Sequence, residues 1–526
     1  MKKSILALLI LLFVTGCRKD KQPDKEKDDE FVATTFVIPN QAIVINPSGN
    51  APLSALLTFT SALSGHTEIV VKGKNGEPSD IKQVFEDSGT SHAIPIIGLY
   101  PNFENTVEVT VVNDNGDKAK SSIKITTGPL PANVPNYIHV DVADYANMES
   151  GVNLVSGFSG YPNGPLAPYI VDNYGDIRWI LDFSNNTELN KLFYDDGISR
   201  IKNGNYLFAD QISGKIYEVD ILGKIINRWE LGGYTFHHEV LEKPDGNFLV
   251  TVNKPGSTNT KGVPTIEDYI IEINRTSGQI TNTWDLKESL DEYRTAFTTN
   301  SEDWMHVNAV TYDAKDNTII VSGRHQAVVK LNYANQVKWI LAPHRGWGKN
   351  RRGEDLNKFL LKPIDGAGNP ITDAAVIEGT VNHPSFEWNW YQHSPIFTPS
   401  GNLMLFDNGD SRNYNVSAAT HYSRAVEYKI DETSMTIQQV WDYGKDRKEE
   451  AYSRIVSSVK YLKNKDHILF SPGFQVPNAT GMGGKVIEVD RASKNVIFQL
   501  SISSPNGFGF HRVERLELYP NGKPYQ

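Results

Sequence analysis

HVNAVTYDAKDNTIIV, residues 306–321, begins on a histidine, runs through a half-polar stretch into a turn of Asp, Lys and Asn, and returns as an apolar strand. The same order recurs in HEVLEKPDGNFLV (residues 238–250) and HSPIFTPSGNLMLF (residues 393–406). Alternation of period two, broken by Gly, Pro, Asn and Asp, marks a β-hairpin. Outward from each hairpin the pattern continues with a strand of I/V-x-E-I/V-D type and a further strand that carries Trp. NYLFADQISGKIYEVDILGKIINRWEL from Asn205 and NTIIVSGRHQAVVKLNYANQVKWIL from Asn317 show the whole unit. With PYIVDNYGDIRWILDF from Pro168 and the shorter matches, the unit occurs six times after Tyr137. Four antiparallel strands repeated in series predict a β-propeller. The chain therefore reads as all-β, with a six-bladed propeller over residues 137–526. HRVERLELYP from His511 is expected to join the first blade and close the ring.

Residues 31–128 hold shorter alternating segments such as TEIVVKG, TVEVTVVND and SSIKITTG, separated by NG, SG and DNG turns. That is the pattern of a small Ig or fibronectin-III β-sandwich. Residues 129–136, PLPANVPN, form a proline-rich joint. At the N-terminus, Lys2 and Lys3 precede an apolar run from Ile5 to Val14, too short for the ~20 residues of a membrane span. Small residues before Cys17, the only cysteine, resemble a bacterial lipobox. Residues 1–17 thus read as a lipoprotein signal peptide ending at a lipidated Cys17, and the charged residues 18–30 as a tether. The expectation is an exported lipoprotein facing the periplasm or the cell surface, touching membrane only through that anchor. With Cys17 lipidated, no disulfide can form. A net charge of −10 argues against a nucleic-acid partner, which needs a basic face.

Propeller geometry makes the histidines more than a repeat. The innermost strand of each blade runs along the central channel, so residues opening successive inner strands ring one mouth. His238, His306 and His393 are placed there. The second strand returns to the same mouth with Arg324, Asn253 and the Asp407-Asn408 pair. Asn308 should share the facing of His306 because strand side chains alternate, and His237 should point away from His238 as support. Aromatics precede each histidine: Tyr234 and Phe236, Trp304, then Trp388, Trp390 and Tyr391. Three histidines suit zinc, but the fixed charge of Arg324 opposes a cation. Imidazoles, a guanidinium and aromatic walls suit an aromatic anion, so neither metal nor cofactor is expected. His325, His344, His421 and His511 read as structural, with Arg424 and Arg512 able to border the funnel. The insertion 343–391, with Arg345, Arg351 and Arg352, reads as a lid or binding loop.

FHHEV around His238, DWMHVNAVTYD with SGRHQ following, and WYQHSPIFTPSGNLMLFDNG with YSRAVEYKID resemble the bacterial arylsulfate sulfotransferase family, which uses no nucleotide sulfate donor. The resemblance covers residues 31–526 and implies a sandwich followed by a six-bladed propeller. It further implies ping-pong transfer of a sulfuryl group from a phenolic sulfate to a phenol acceptor. The family's transiently sulfated nucleophile matches His393. Its other site residues match His238, His306, Arg324 and Asn308, and its members form homodimers. Some relatives carry a disulfide, which this chain cannot. His237, Trp304 and Tyr391 are read as substrate-binding neighbours. His306 is the candidate acid and base, with His238 as the alternative. Two further readings stay open: a propeller that binds aromatic anions without turnover, and a metal-dependent hydrolase.

Overall fold

The computed structural model describes residues 34–159, 165–194, 197–294, 301–417, 421–504 and 507–525. The signal segment, Cys17 and the charged stretch 18–30 lie outside the described residues. Strands dominate throughout, and the few helices are single turns.

The N-terminal unit is Ig-like. Thr34–Thr35, Lys118–Thr126, Glu104–Val112, His66–Val71 and Ile81–Val84 form one sheet, and Ile43–Ile45, Ser54–Thr60 and Ser91–Ile97 form the other. Alternation decides its core: Val107, Val109 and Val111 are buried while Glu108 between them is exposed. Tyr519 Oη, near the C-terminus, accepts from Ile97 N at 2.9 Å, and Arg178 Nε donates to Gly98 O at 2.9 Å. These bonds tie the sandwich to the strands that follow.

From Tyr137 onward the described strands fall into six sheets of four to six strands. Gly509–Leu516 pairs antiparallel with Val152–Ser159, so a strand from near the C-terminus completes the first of these sheets. In the last sheet, Tyr137–Ala143 pairs with Val496–Ser504, a second such exchange. Strands of neighbouring sheets touch in succession: Tyr206–Asp210, Thr235–Glu242, Val307–Asp313, His393–Phe397, Ser458–Leu462 and Gly509–Leu516.

The repeat residues join one sheet to the next. In five of the six sheets an outer-strand Trp donates its Nε1–H into the following sheet. Trp179 reaches Ile221 O (2.8 Å), Trp229 reaches Arg275 O (2.8 Å) and Trp284 reaches Asn332 O (2.9 Å). Trp339 bonds Glu432 Oε1 (3.1 Å), and Trp441 bonds Arg491 O (2.8 Å). A buried indole N–H needs such a partner, so the bond fixes each sheet against its neighbour. The Glu of the I-x-E-I pattern works similarly. Glu218 accepts from Asn205 Nδ2 (2.7 Å) within its own sheet and pairs with Arg275 of the next (2.7 Å). Glu427 does the same with Asn402 (2.7 Å) and Arg491 (2.7 Å). Buried ion pairs add little net stability, but losing one partner is costly, so they enforce register.

The insertion after residue 343 is not a loose lid. Leu356, Leu361, Phe386, Trp388 and Trp390 are buried, and Lys362–Ile364 pairs parallel with the fifth sheet's outer strand. Arg351 is held by Glu292 at 2.6 Å. Its apolar content, read as part of a loop, instead extends the core between the fourth and fifth sheets.

Candidate active site

All three histidine strands break their ladder at the histidine. Register shifts fall between Phe236 and Val240, between Val307 and Ala309, and between His393 and Ile396. His238 (φ 60°), His306 (φ 50°), Tyr391 (φ 54°) and Ser394 (φ 54°) adopt left-handed backbone. Each such non-glycine residue costs about 1 kcal/mol or more. Bulges re-aim side chains, and here they turn imidazoles toward one another.

His238 Nε2 lies 3.3 Å from His306 Nε2, and Arg324 Nη1 lies 2.9 Å from the same His306 nitrogen. His393 belongs to the same group through His511, whose ring centre is 5.7 Å from that of His393 and 5.3 Å from that of His238. His238, His306, Arg324 and His393 are thus brought together, as the sequence predicts. His511, read as structural from sequence, sits between two of them.

The alternation argument fails at the bulges, and two expectations need correction. His237 does not point away: its Nε2 is 2.7 Å from Glu267 Oε1, and its ring centre is 5.6 Å from that of His306. Asn308 does not share the facing of His306. Its Nδ2 donates to Gln392 O at 2.8 Å, tying the His306 strand to the residue before His393. Trp304 is turned into the core, where its Nε1–H bonds Asp268 Oδ2 at 3.0 Å, so it offers no wall to a substrate. Tyr391 remains at the site, with the Arg324 guanidinium 5.4 Å from its ring centre. Arg424 does not border a funnel; it is fully buried on Asp407 at 2.8 Å. Arg512 pairs with Glu239 at 2.7 Å. Arg512 and Glu239 line a cavity of about 260 Å³ one residue further along the strands of His511 and His238.

Two partners of His306, Glu267 and Asp303, went unread in the sequence, whereas Asn408, placed at this mouth from the sequence, is the partner of His393. His306 Nδ1 lies 2.6 Å from Glu267 Oε2 and 2.9 Å from Asp303 Oδ2. Glu267 is positioned in turn by Asn253, whose Oδ1 accepts from its backbone N at 2.5 Å. His393 Nδ1 lies 2.8 Å from Asn408 Oδ1 and 3.1 Å from Tyr391 O. Asp303 sits three residues before His306, a visible signal; Glu267 lies on another sheet and gives none.

These partners divide the histidines electrostatically. Burial pushes His393 well below the ordinary imidazole range; His511 and Arg324 lower it further, while Asn408 only partly opposes them. Burial and the surrounding histidines likewise push His238 well down. His306 goes the other way: burial lowers it, but Asp303 and Glu267 outweigh burial and raise it. Burial raises Glu267, yet His237 and His306 hold it far below the usual carboxylate range. His325, with Nδ1 donating to Asp303 O at 2.8 Å, is lowered to about 4, chiefly by burial. The arrangement is a fixed cation, a neutral imidazole and an imidazole biased toward its charged form within one cluster.

Two groups have donor atoms close enough for a metal ion: His237, His238 and Glu267, and Asp303, His306 and His325. Both are already paired internally, and Arg324 contacts His306. A third group, Asp313, Asp316 and Glu432, surrounds the ammonium of Lys330.

A β-rich chain that gathers histidines and an arginine at strand bulges has the form of a group-transfer site for anions. Residues 139–510 match the family model described as Arylsulfotransferase (ASST), and residues 42–128 match the Arylsulfotransferase Ig-like domain. The protein belongs to the arylsulfotransferase family. Arylsulfate sulfotransferase AssT of Escherichia coli O6:H1 (strain CFT073) is 31% identical over 555 residues, covering 88% of this chain and 90% of that protein. The AssT of Lelliottia amnigena matches to the same extent, 31% over 88% of this chain and 90% of its own. The solved structure of a streptogramin B lyase matches with 11% identity and a TM-score of 0.29, covering 71% of this chain and all of its own, too distant to bear on function.

Proposed function

We propose that this protein is an arylsulfate sulfotransferase that carries a sulfuryl group from a phenolic sulfate ester to a phenol acceptor through sulfo-His393. The reading rests on one observation above all: His393, an imidazole that burial drives toward its neutral form, in one cluster with Arg324 and a carboxylate-backed His306, in a chain of this family.

The chemistry follows from charge. As the S–O bond of an aryl sulfate breaks, negative charge spreads over the sulfuryl oxygens and the departing phenolate. Fixed donors aimed at those oxygens lower the barrier without reorganising. Arg324 and His238 supply them. His393 Nε2, whose opposite nitrogen is occupied, attacks sulfur in line and splits the transfer into two steps. His306 gives its proton to the leaving phenolate, whose conjugate acid has a pKa of about 10. It later takes a proton from the incoming phenol. Two carboxylates on its Nδ1 suit that exchange, as a buried carboxylate does for the base of a Ser-His-Asp triad. Asn308 acts by holding the His393 strand, and Tyr391 by walling the aryl ring. Neither metal nor cofactor takes part.

The six sheets are read as blades of a propeller over residues 137–526, closed by Gly509–Leu516, after a sandwich at 31–128 and a joint at 129–136. Residues 1–17 would place the protein on a membrane through Cys17, facing the periplasm or cell surface, with 18–30 as tether; a homodimer follows from the resemblance alone. The test is incubation with a chromogenic aryl sulfate, with and without a phenol acceptor. Sustained phenol release that requires the acceptor is expected. Release that ignores the acceptor and vanishes on chelation favours the metal-hydrolase reading, whose support is the donor grouping around His237 and Glu267.

A further inference from the structure

We propose that Asn408 is the positioning residue that fixes the proton of His393 on Nδ1 and keeps the sulfated form of the ring a reactive cation. The inference rests on the sulfo-histidine reading above.

The amide orientation of Asn408 is not free. Its Nδ2 donates to Ser453 O at 2.9 Å and to Val456 O at 3.0 Å. Reversing the amide would set Oδ1 against two carbonyl oxygens. Oδ1 must therefore face His393 Nδ1, where it accepts at 2.8 Å. Tyr391 O, at 3.1 Å, is also purely an acceptor. Two acceptors and no donor at one ring nitrogen require the proton there. The lone pair then lies on Nε2. The charged and titratable groups facing His393 are His511, Arg324 and His306.

The choice of an amide has a second consequence. When Nε2 forms its bond to sulfur, the aryl oxygen departs with the S–O electron pair, and the ring becomes an N-sulfo-imidazolium with its proton still on Nδ1. A carboxylate partner would attract that proton and leave a neutral, poorer sulfuryl donor. Asn408 has no basic lone pair to take it. The positive ring remains an activated donor: the N–S electron pair returns to Nε2 when the acceptor oxygen attacks. Ser423 completes the support, donating its Oγ–H to Asn408 O at 2.7 Å and accepting from Ser453 N at 2.9 Å. The loop before Ser458–Leu462 thereby holds the nucleophile of the preceding sheet.

Two measurements decide it. Nitrogen-15 NMR of histidine-labelled wild-type protein, assigned with His393→Asn, should show His393 protonated on Nδ1 and bare on Nε2 at neutral pH. A proton on Nε2 overturns the proposal without any variant having to fold. Stopped-flow release of phenol from a chromogenic aryl sulfate should give an enzyme-sulfation rate about 10- to 100-fold lower in Asn408→Ala, by analogy with loss of the partner that orients a metal-ligating histidine, with little change in donor KM. A sulfation rate within threefold of wild type also overturns it. Absence of any sulfated wild-type enzyme instead defeats the sulfo-histidine reading itself, so the two failures are distinct.

Discussion

His393 and His306 belong to one cluster, yet their rear nitrogens meet opposite chemistry. Behind His393 stand an amide oxygen and a backbone carbonyl. Behind His306 stand two carboxylates. His393 is buried and His306 largely so, and burial alone would drive both to the neutral form. The partners separate them: one stays neutral with a free lone pair, the other keeps its proton into the neutral range. Pairs of titratable groups driven apart by their surroundings carry the acid–base assignment of a site. Residue type alone would have made the two interchangeable.

The largest effect is expected from removing the neutral member. His393→Ala should lower acceptor-dependent transfer by about 10⁴-fold or more, as nucleophile deletions do elsewhere, measured as steady-state phenol sulfation. An equal loss in His306→Ala with full enzyme sulfation retained in His393→Ala would reverse the roles. Next is the shared cation. Arg324→Ala should cost about 10²- to 10³-fold in kcat, with Arg324→Lys recovering only part, because a point charge cannot bridge sulfuryl oxygens as a guanidinium does.

The third prediction strikes the other side. Glu267→Gln with Asp303→Asn removes what raises His306, so its pKa falls. A general acid must be protonated; the alkaline limb of kcat/KM for the donor should move to lower pH. The effect should be about 10- to 100-fold for poor phenol leaving groups and slight for nitrophenyl sulfates, which need no proton. Identical losses for both donor classes would remove His306 from proton transfer. His393, lowered rather than raised, should stay active below the ordinary imidazole pKa, so no acid limb near 6.5 is expected from it in single-turnover sulfation. The smallest effect is expected at Trp304→Phe. Losing its bond to Asp268 should cost about 1 kcal/mol of stability in a denaturant melt and leave kcat/KM within threefold, since the ring faces the core.

How much of this was legible varies with the physics involved. The repeated Trp and Glu strands announced the sheets because the same residue recurs at the same strand position in several of them, with five of the Trp residues bonding into the following sheet. Three histidines at repeated positions announced the cluster. Period-two alternation then misplaced His237 and Asn308, because each histidine strand carries a bulge that no residue pattern marks. Trp304 misled because an aromatic beside a catalytic strand can face either core or site, and only the position of Asp268 decided it. Glu267 and His511 were missed as functional neighbours because their proximity depends on which sheets adjoin and not on any local segment, whereas Asn408 was legible at the returning end of the strand after His393.

The most direct test of the division between the two histidines is to mix wild-type protein with an aryl sulfate, omit the acceptor, quench without acid and map the adduct by mass spectrometry. A single sulfuryl group on the peptide containing His393, lost on adding a phenol, is the predicted result. Turnover with no adduct, or an adduct on His306, would contradict it.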